Sequence, residues 1–139
     1  MKLIGLDVGS KTIGVAVSDA LGLTAQGLKT IKWDENNLRS ADDELKQIVQ
    51  EHEIGQAIIG LPKNMNGTIG ERGEASERFA NHIEKNFHLP IVLWDERLTT
   101  MAAERILLEA DVSRKKRKKV IDKMAAVMIL QSYLDSKGR

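Results

Sequence analysis

The chain contains no cysteine, which excludes a disulfide scaffold, a thiolate zinc site and a cysteine nucleophile. Only two of its 139 residues are proline, Pro62 and Pro90, and both sit at the edges of apolar runs, so no linker divides the sequence. Aromatic residues make up 4 %. Trp33 and Trp94 are too few for a platform on which bases stack, and Trp94 is expected in the core. Long apolar runs are also missing. In the opening MKLIGLDVGS, Gly5 and Asp7 interrupt the apolar residues, which fits neither a signal peptide nor a membrane span. The expectation is one cytoplasmic domain over residues 1–139, long enough to bury about two-thirds of its unfolded surface.

Charge of one sign is scarce in total but not locally. Lys and Arg number 21 against 20 Asp and Glu, for a net charge of +1. The stretch Arg114, Lys115, Lys116, Arg117, Lys118 and Lys119 holds six of the positive charges, and without them the net charge would be −5. An acidic body with one concentrated basic block points to a localised anionic partner.

The first third reads as a β-meander. Lys2–Val8 and Thr12–Ser18 are β-rich runs separated by Gly9-Ser10-Lys11, and Ala25–Lys32 is a weaker third strand. In the second run Ile13, Val15 and Val17 alternate with Gly14, Ala16 and Ser18, so one face is bulky and the other admits close packing. Ser40 to Asp43 has the form of a capping box opening a helix to about Glu53. Gln56–Leu61 is a buried strand ended by Pro62. A loop with Gly67, Gly70 and Gly73 follows, then a helix over Glu74–Asn86 and a strand over Ile91–Trp94. Thr99 or Thr100 caps a helix to about Glu109, with Ala102, Ala103, Ile106 and Leu107 inward. The last helix runs from about Lys116 to Asp135, and its seven consecutive apolar residues Met124–Leu130 are expected to be covered nearly all round. The order β-β-β-α-β-α-β-α-α makes an α/β fold, a mixed five-stranded sheet with helices on both faces.

Three acidic positions stand out. Asp7 ends a strand of apolar residues, where a carboxylate is costly unless paired or bound to a cation; a turn aspartate bonding the amides of Gly9-Ser10 is the alternative. Asp95 and Glu96 follow the strand IVLW, and two adjacent carboxylates cannot share one direction, so one faces the site while Arg97 accounts for one acid, hardly for both. Asp122 shares a helix face with Ala125, Ala126 and Ile129, small and apolar neighbours that permit close approach to a sheet end; the alternative is a first-turn acid favoured by the helix dipole. Together they supply hard oxygen ligands for a pair of divalent ions, which activate water and stabilise the leaving oxygen in phosphodiester hydrolysis.

The strings GLDVGSKTIGVAVSD, IIGLPKNMNG, LWDERLTT and KKVIDKMAAVMIL, in this order over nearly the whole chain, resemble the YqgF (RuvX) family of RNase H-like proteins. The resemblance implies an RNase H-like fold, dependence on Mg²⁺ or Mn²⁺, and a cytoplasmic nuclease of ribosome biogenesis acting on the 5′ end of pre-16S rRNA, or a Holliday junction resolvase acting on branched DNA. It implies Asp7 as the first-strand acid, Glu96 as the late-strand acid with Asp95 competing, and Asp122 as the helix acid. There is one departure. RuvC-type resolvases carry the second acid after the fourth strand, where this chain reads GLPKNMNG with no carboxylate before Glu71, so the DER motif has to substitute from the neighbouring strand.

The basic block precedes Asp122 by a few residues, so phosphate contacts there deliver a backbone to the acids. Lys63, Asn64, Asn66 and Arg72, in and beside the glycine-rich loop, are further candidates for phosphate. His52, His82 and His88 receive no role. Asp7 to Gly14 also matches the DxGxxxxG phosphate loop of actin-like and sugar-kinase ATPases, but those close two such domains around the nucleotide. A P-loop is excluded because GxxxxGK[ST] is absent. A third reading is a non-catalytic RNA- or ribosome-binding module. Expected partners are nucleic acid, pre-rRNA ahead of branched DNA, and the ribosome or its precursor, with no membrane. The expected state is a monomer or weak dimer, since no exposed apolar helix face offers a two-fold interface.

Overall fold

The computed structural model describes residues 1–99 and 114–137, the side chains of 114–122 excepted. Three antiparallel strands open it: β1 (Lys2–Val8), β2 (Thr12–Ser18) and β3 (Ala25–Lys32), with the bounds expected from the sequence. Gly9 donates to the Thr12 carbonyl at 2.8 Å to close the first turn. In the second, Asp19 Oδ1 accepts from Leu23 N at 2.7 Å and Thr24 N at 3.1 Å. Those amides, Thr24 first, hold the Asp19 carboxyl below the usual carboxylate range. Helix α1 (Asp42–Glu51) leads to β4 (Ile54–Leu61), which pairs parallel with β1; α2 (Glu71–Phe87) leads to β5 (Ile91–Asp95), which pairs parallel with β4. The sheet order is β3-β2-β1-β4-β5, a mixed five-stranded sheet as expected. A 3-10 turn, Glu96–Leu98, follows β5, and α3 (Arg114–Lys137) completes the described chain.

Alternation along the strands divides the core in two. Ile4, Leu6, Ile13, Val15, Ala57 and Ile59 face α1 and α2, where they meet Leu45, Ile48, Phe79 and Ile83. Ala16 and Ile58 face α3 and meet Ala125, Ala126, Ile129 and Leu130. The second face is built from small residues because α3 lies almost on the backbone. A Cβ at Gly5 would stand 2.7 Å from Leu130 Cβ and 3.0 Å from the Ala126 carbonyl, and one at Gly27 would stand 2.8 Å from Lys123 Cγ.

Several boundaries differ from expectation. Ser40 does not cap α1: its hydroxyl accepts from Asp34 N at 2.9 Å and donates to the Asp34 carbonyl, and a 3-10 turn, Leu38–Ala41, precedes the helix. Helix α2 begins at Glu71 instead of Glu74, because Gly73 is needed inside its first turn, where a Cβ would come within 2.7 Å of the Pro62 carbonyl. Helix α3 runs two residues further at each end than expected, and its apolar stretch is not sealed all round: Met124, Val127 and Met128 are only half-buried. The helix expected to end near Glu109 falls outside the described residues. Trp94 joins the α3 side of the core, half-buried, edge-on to Tyr133 at 5.5 Å.

Candidate active site

Asp7 is the penultimate residue of β1. Gly5, two residues earlier, lies under α3, so the pleat turns Asp7 toward that same face. Its partner across the antiparallel ladder is Gly14. On the other side the parallel ladder ends with Leu6 opposite Ile59, and one further step along both strands sets Asp7 beside Gly60. The acid is thus flanked on both neighbouring strands by residues without a side chain. Asp7 is half-buried, and Ile4 and Leu6 around it are fully so.

Glu96 reaches the same place from β5. Val92 and Trp94 face α3, and Glu96 continues their alternation in the first position of the 3-10 turn. A Cβ at Gly60, the residue paired with Trp94, would stand 3.3 Å from the Glu96 carboxyl carbon, 3.2 Å from Ile129 Cγ1 and 2.5 Å from Ile129 Cδ1. The Glu96 carboxylate therefore leans over the end of β4 at the position beside Asp7. This is where GLPKNMNG left the fourth strand without an acid, and the missing side chain of Gly60 is what gives the neighbouring strand's glutamate room. The sequence held a signal for it, since a glycine within a buried strand marks close approach of another group.

Asp95 is engaged elsewhere. Its Oδ1 accepts the Arg97 amide at 2.9 Å, and the two carboxylate oxygens accept Arg97 Nε at 3.1 and 3.0 Å and Nη2 at 2.7 Å. The Arg97 guanidinium, hydrogen-bonded to it, holds the Asp95 carboxyl below the usual carboxylate range, with Lys63 Nζ adding attraction from 3.9 Å. Arg97 also faces the loop after β4, whose Gly67 takes the left-handed φ of 87° that packs it against the guanidinium. Of the two adjacent acids, Arg97 satisfies Asp95 and Glu96 is the one turned to the α3 face.

The other candidate residues divide by location. Asn64 and Asn66 bond within their own loop: Asn64 N donates to the Thr68 carbonyl at 2.8 Å, Asn64 Nδ2 to Thr68 Oγ1 at 2.9 Å, and Thr68 N to Asn66 Oδ1 at 3.1 Å. Arg72 donates to Glu35 at 2.7 Å and to the Val8 carbonyl at 3.2 Å. Arg114 to Lys119 form the first two turns of α3 and Asp122 the third, two turns before Ile129, but their side chains lie outside the described residues. Ala125, Ala126 and Ile129, which share the helix face of Asp122, are buried against the sheet. Among the described residues no three His, Asp or Glu side chains gather as a metal-binding group, and the described pair at the strand ends is Asp7 and Glu96. No described helix is long and apolar enough to cross a membrane.

Comparison with known proteins identifies the family and the fold. The family model RuvX, described as Holliday junction resolvase, matches residues 1–136. A protein of Oceanobacillus iheyensis named "Putative pre-16S rRNA nuclease" is 82 % identical over 137 residues, covering 99 % of this chain and 100 % of that one. Two solved structures share the fold at low identity. Thermus thermophilus RuvC in complex with Holliday junction substrate superposes with a TM-score of 0.62 at 10 % identity, covering 99 % of this chain and 96 % of that one. The fowlpox virus Holliday junction resolvase gives 0.58 at 17 % identity, covering 99 % of each chain. With a match over nearly its full length and a relative of such high identity, the chain belongs to the RuvX family.

Proposed function

We propose that this protein is a metal-dependent nuclease that hydrolyses phosphodiester bonds at the 5′ end of pre-16S rRNA, in the cytoplasm. The observation that carries the reading is the Glu96 carboxyl carbon 3.3 Å from the empty Cβ position of Gly60, on the face and at the sheet end where Asp7 emerges. The substrate follows from the name of the O. iheyensis relative.

Asp7, Glu96 and Asp122 would hold Mg²⁺ or Mn²⁺, two ions in the full site. The donor set fits such ions: hard carboxylate oxygens and no thiolate, with Gly14 and Gly60 flanking Asp7 on the neighbouring strands. When bound, the ions supply an activated water and charge stabilisation at the leaving oxygen. Asp95 stays with Arg97 and orients the turn that presents Glu96. The basic residues 114–119 bind backbone phosphates ahead of Asp122, and Lys63 adds a cation beside the turn, so the RNA backbone is drawn across the strand ends. Neutralised phosphates release counterions, which makes binding fall with salt. The active unit is a monomer or weak dimer, and the ribosome precursor is its partner.

Resolution of a four-way junction is the second reading, favoured by the description of the family model. Symmetrical cleavage would call for two sites and hence a dimer. One preparation offered a pre-16S leader and a four-way junction side by side, with Mn²⁺, separates the two. Cleavage of the leader at its 5′ end with the junction intact is the expected result. Paired, symmetrical cuts in the junction would replace the proposal by the second reading. Binding of RNA without any cleavage would make the protein a ribosome-binding module.

A further inference from the structure

The two carbonyls that follow Asp7 are each held by a side chain from another element. Val8 O accepts from Arg72 Nη2 at 3.2 Å, and Gly9 O accepts from Trp33 Nε1 at 2.9 Å. Arg72 stands in the first turn of α2, and its Nη1 is fixed by Glu35 at 2.7 Å, in the connection between β3 and α1. Trp33 directly follows β3, is buried, and packs edge-on against Phe79 of α2 with ring centroids 5.1 Å apart. Its own amide donates to the Lys11 carbonyl at 3.0 Å, on the far side of the same turn. The parallel pairing of β1 with β4 ends at Leu6, so β4 does not fix the strand beyond that point. On the β2 side the ladder continues through Asp7–Gly14 and Val8–Ile13, while on the open side Arg72 of α2 and Trp33, packed on Phe79 of α2, hold the strand end.

We infer that Arg72 and Trp33 form a brace that positions Asp7, and that Arg72 serves as a positioning residue and not as a phosphate contact. The inference rests on the nuclease reading for its consequence in catalysis. Glu35 already neutralises the guanidinium, which lowers its worth as a phosphate ligand and orients it to the strand end. A carboxylate that must sit within a fraction of an ångström of its working position depends on the backbone beneath it, and a displacement of about 1 Å can cost about 100-fold in rate. Arg72 and Trp33 fix the peptide groups on the C-terminal side of Asp7 from two directions. Neither side chain has to touch substrate for this.

The test uses the full chain with Arg72→Met, Arg72→Lys, Glu35→Gln and Trp33→Phe. Cleavage of a pre-16S leader RNA is measured across substrate concentrations, and binding of the same RNA across salt concentrations. Expected is a fall in kcat of about tenfold for Arg72→Met and Trp33→Phe, with KM and the salt slope unchanged, partial recovery in Arg72→Lys, and a smaller fall in Glu35→Gln. A phosphate ligand would behave differently: the salt slope would drop by about 0.7 in Arg72→Met with kcat intact at saturating RNA, and that result overturns the inference. So does a kcat unchanged in both Arg72→Met and Glu35→Gln. If the wild-type chain does not cleave, the nuclease reading fails by itself, and hydrogen exchange of the Leu6–Thr12 segment decides the brace. Exchange about tenfold faster in Arg72→Met supports it, and unchanged exchange overturns it.

Discussion

Gly60→Ala is the most informative small perturbation of the sheet end, because one added methyl meets two different groups. The new Cβ would stand 2.5 Å from Ile129 Cδ1, inside any real carbon contact, and 3.3 Å from the Glu96 carboxyl carbon. Ile129, on α3, is completely buried against the sheet beside Ile58, so its end carbon has no empty space to enter. Overpacking of this kind costs about 1–3 kcal/mol, which for a chain of this size lowers Tm by roughly 4 °C per kcal/mol. Glu96 is only half-buried, so its carboxylate moves aside at little cost in stability. The two effects separate with Ile129→Val, which removes Cδ1. Alone that change costs about 1 kcal/mol, but combined with Gly60→Ala it relieves the clash, and the double variant should recover about 1 kcal/mol relative to additivity. Urea denaturation measures this coupling, and cleavage of the pre-16S leader is followed in parallel. Cleavage should fall about tenfold in Gly60→Ala and stay low in the double variant, because Glu96 remains displaced. Additive stabilities would refute the seating of Ile129 on Gly60, and full recovery of cleavage with stability would refute the place assigned to Glu96.

Three further predictions concern other parts of the molecule. The Asp95 carboxyl is held low by Arg97, so the folded form binds its proton less readily than the unfolded chain; this contribution is complete above about pH 4 and is lost as pH falls through the lowered value. Acid titrations of stability should accordingly fall less steeply below pH 4 for Asp95→Asn, and an identical slope would show that Arg97 does not bind that carboxylate. Replacing Lys115, Lys116, Lys118 and Lys119 with Gln should weaken RNA binding and reduce its salt slope by about 0.7 for each phosphate no longer neutralised, with the thermal midpoint unchanged; filter binding at several salt concentrations measures it, and unchanged binding would return the block to a solvated helix entry. Phe79→Ala removes a fully buried ring that supports Trp33 and should cost about 3–5 kcal/mol in urea unfolding, and a loss below about 1 kcal/mol would mean that α2 is not seated as described.

The strands of the meander were legible because their pattern is local. Alternation in TIGVAVS gave both the limits of β2 and the small face on which α3 lies. Helix α2 was harder: Gly70, Gly73 and the intervening residues have the composition of a loop, yet Gly73 is in the helix because only a glycine fits under the Pro62 carbonyl. Ser40 had the local form of a cap and was drawn to Asp34 by a turn that local spacing does not reveal. For the adjacent acids, the sequence indicated that Arg97 would take one. Which one followed from the bond geometry of the turn, where the Arg97 amide and guanidinium both reach Asp95. The brace was out of reach altogether. Arg72 meets partners 37 and 64 positions away, and such pairings exist only once the sheet has formed.

The central claim is that Asp7, Glu96 and Asp122 form one hydrolytic site. It is tested most directly by Mn²⁺-dependent cleavage of the pre-16S leader with the separate variants Asp7→Asn, Glu96→Gln and Asp122→Asn, beside Asp95→Asn, with RNA binding measured for each. The account predicts that the first three lose cleavage by at least about 100-fold while still binding RNA, and that Asp95→Asn retains most of it. Residual cleavage in Glu96→Gln equal to that of the unaltered chain, or loss confined to Asp95→Asn, would contradict it.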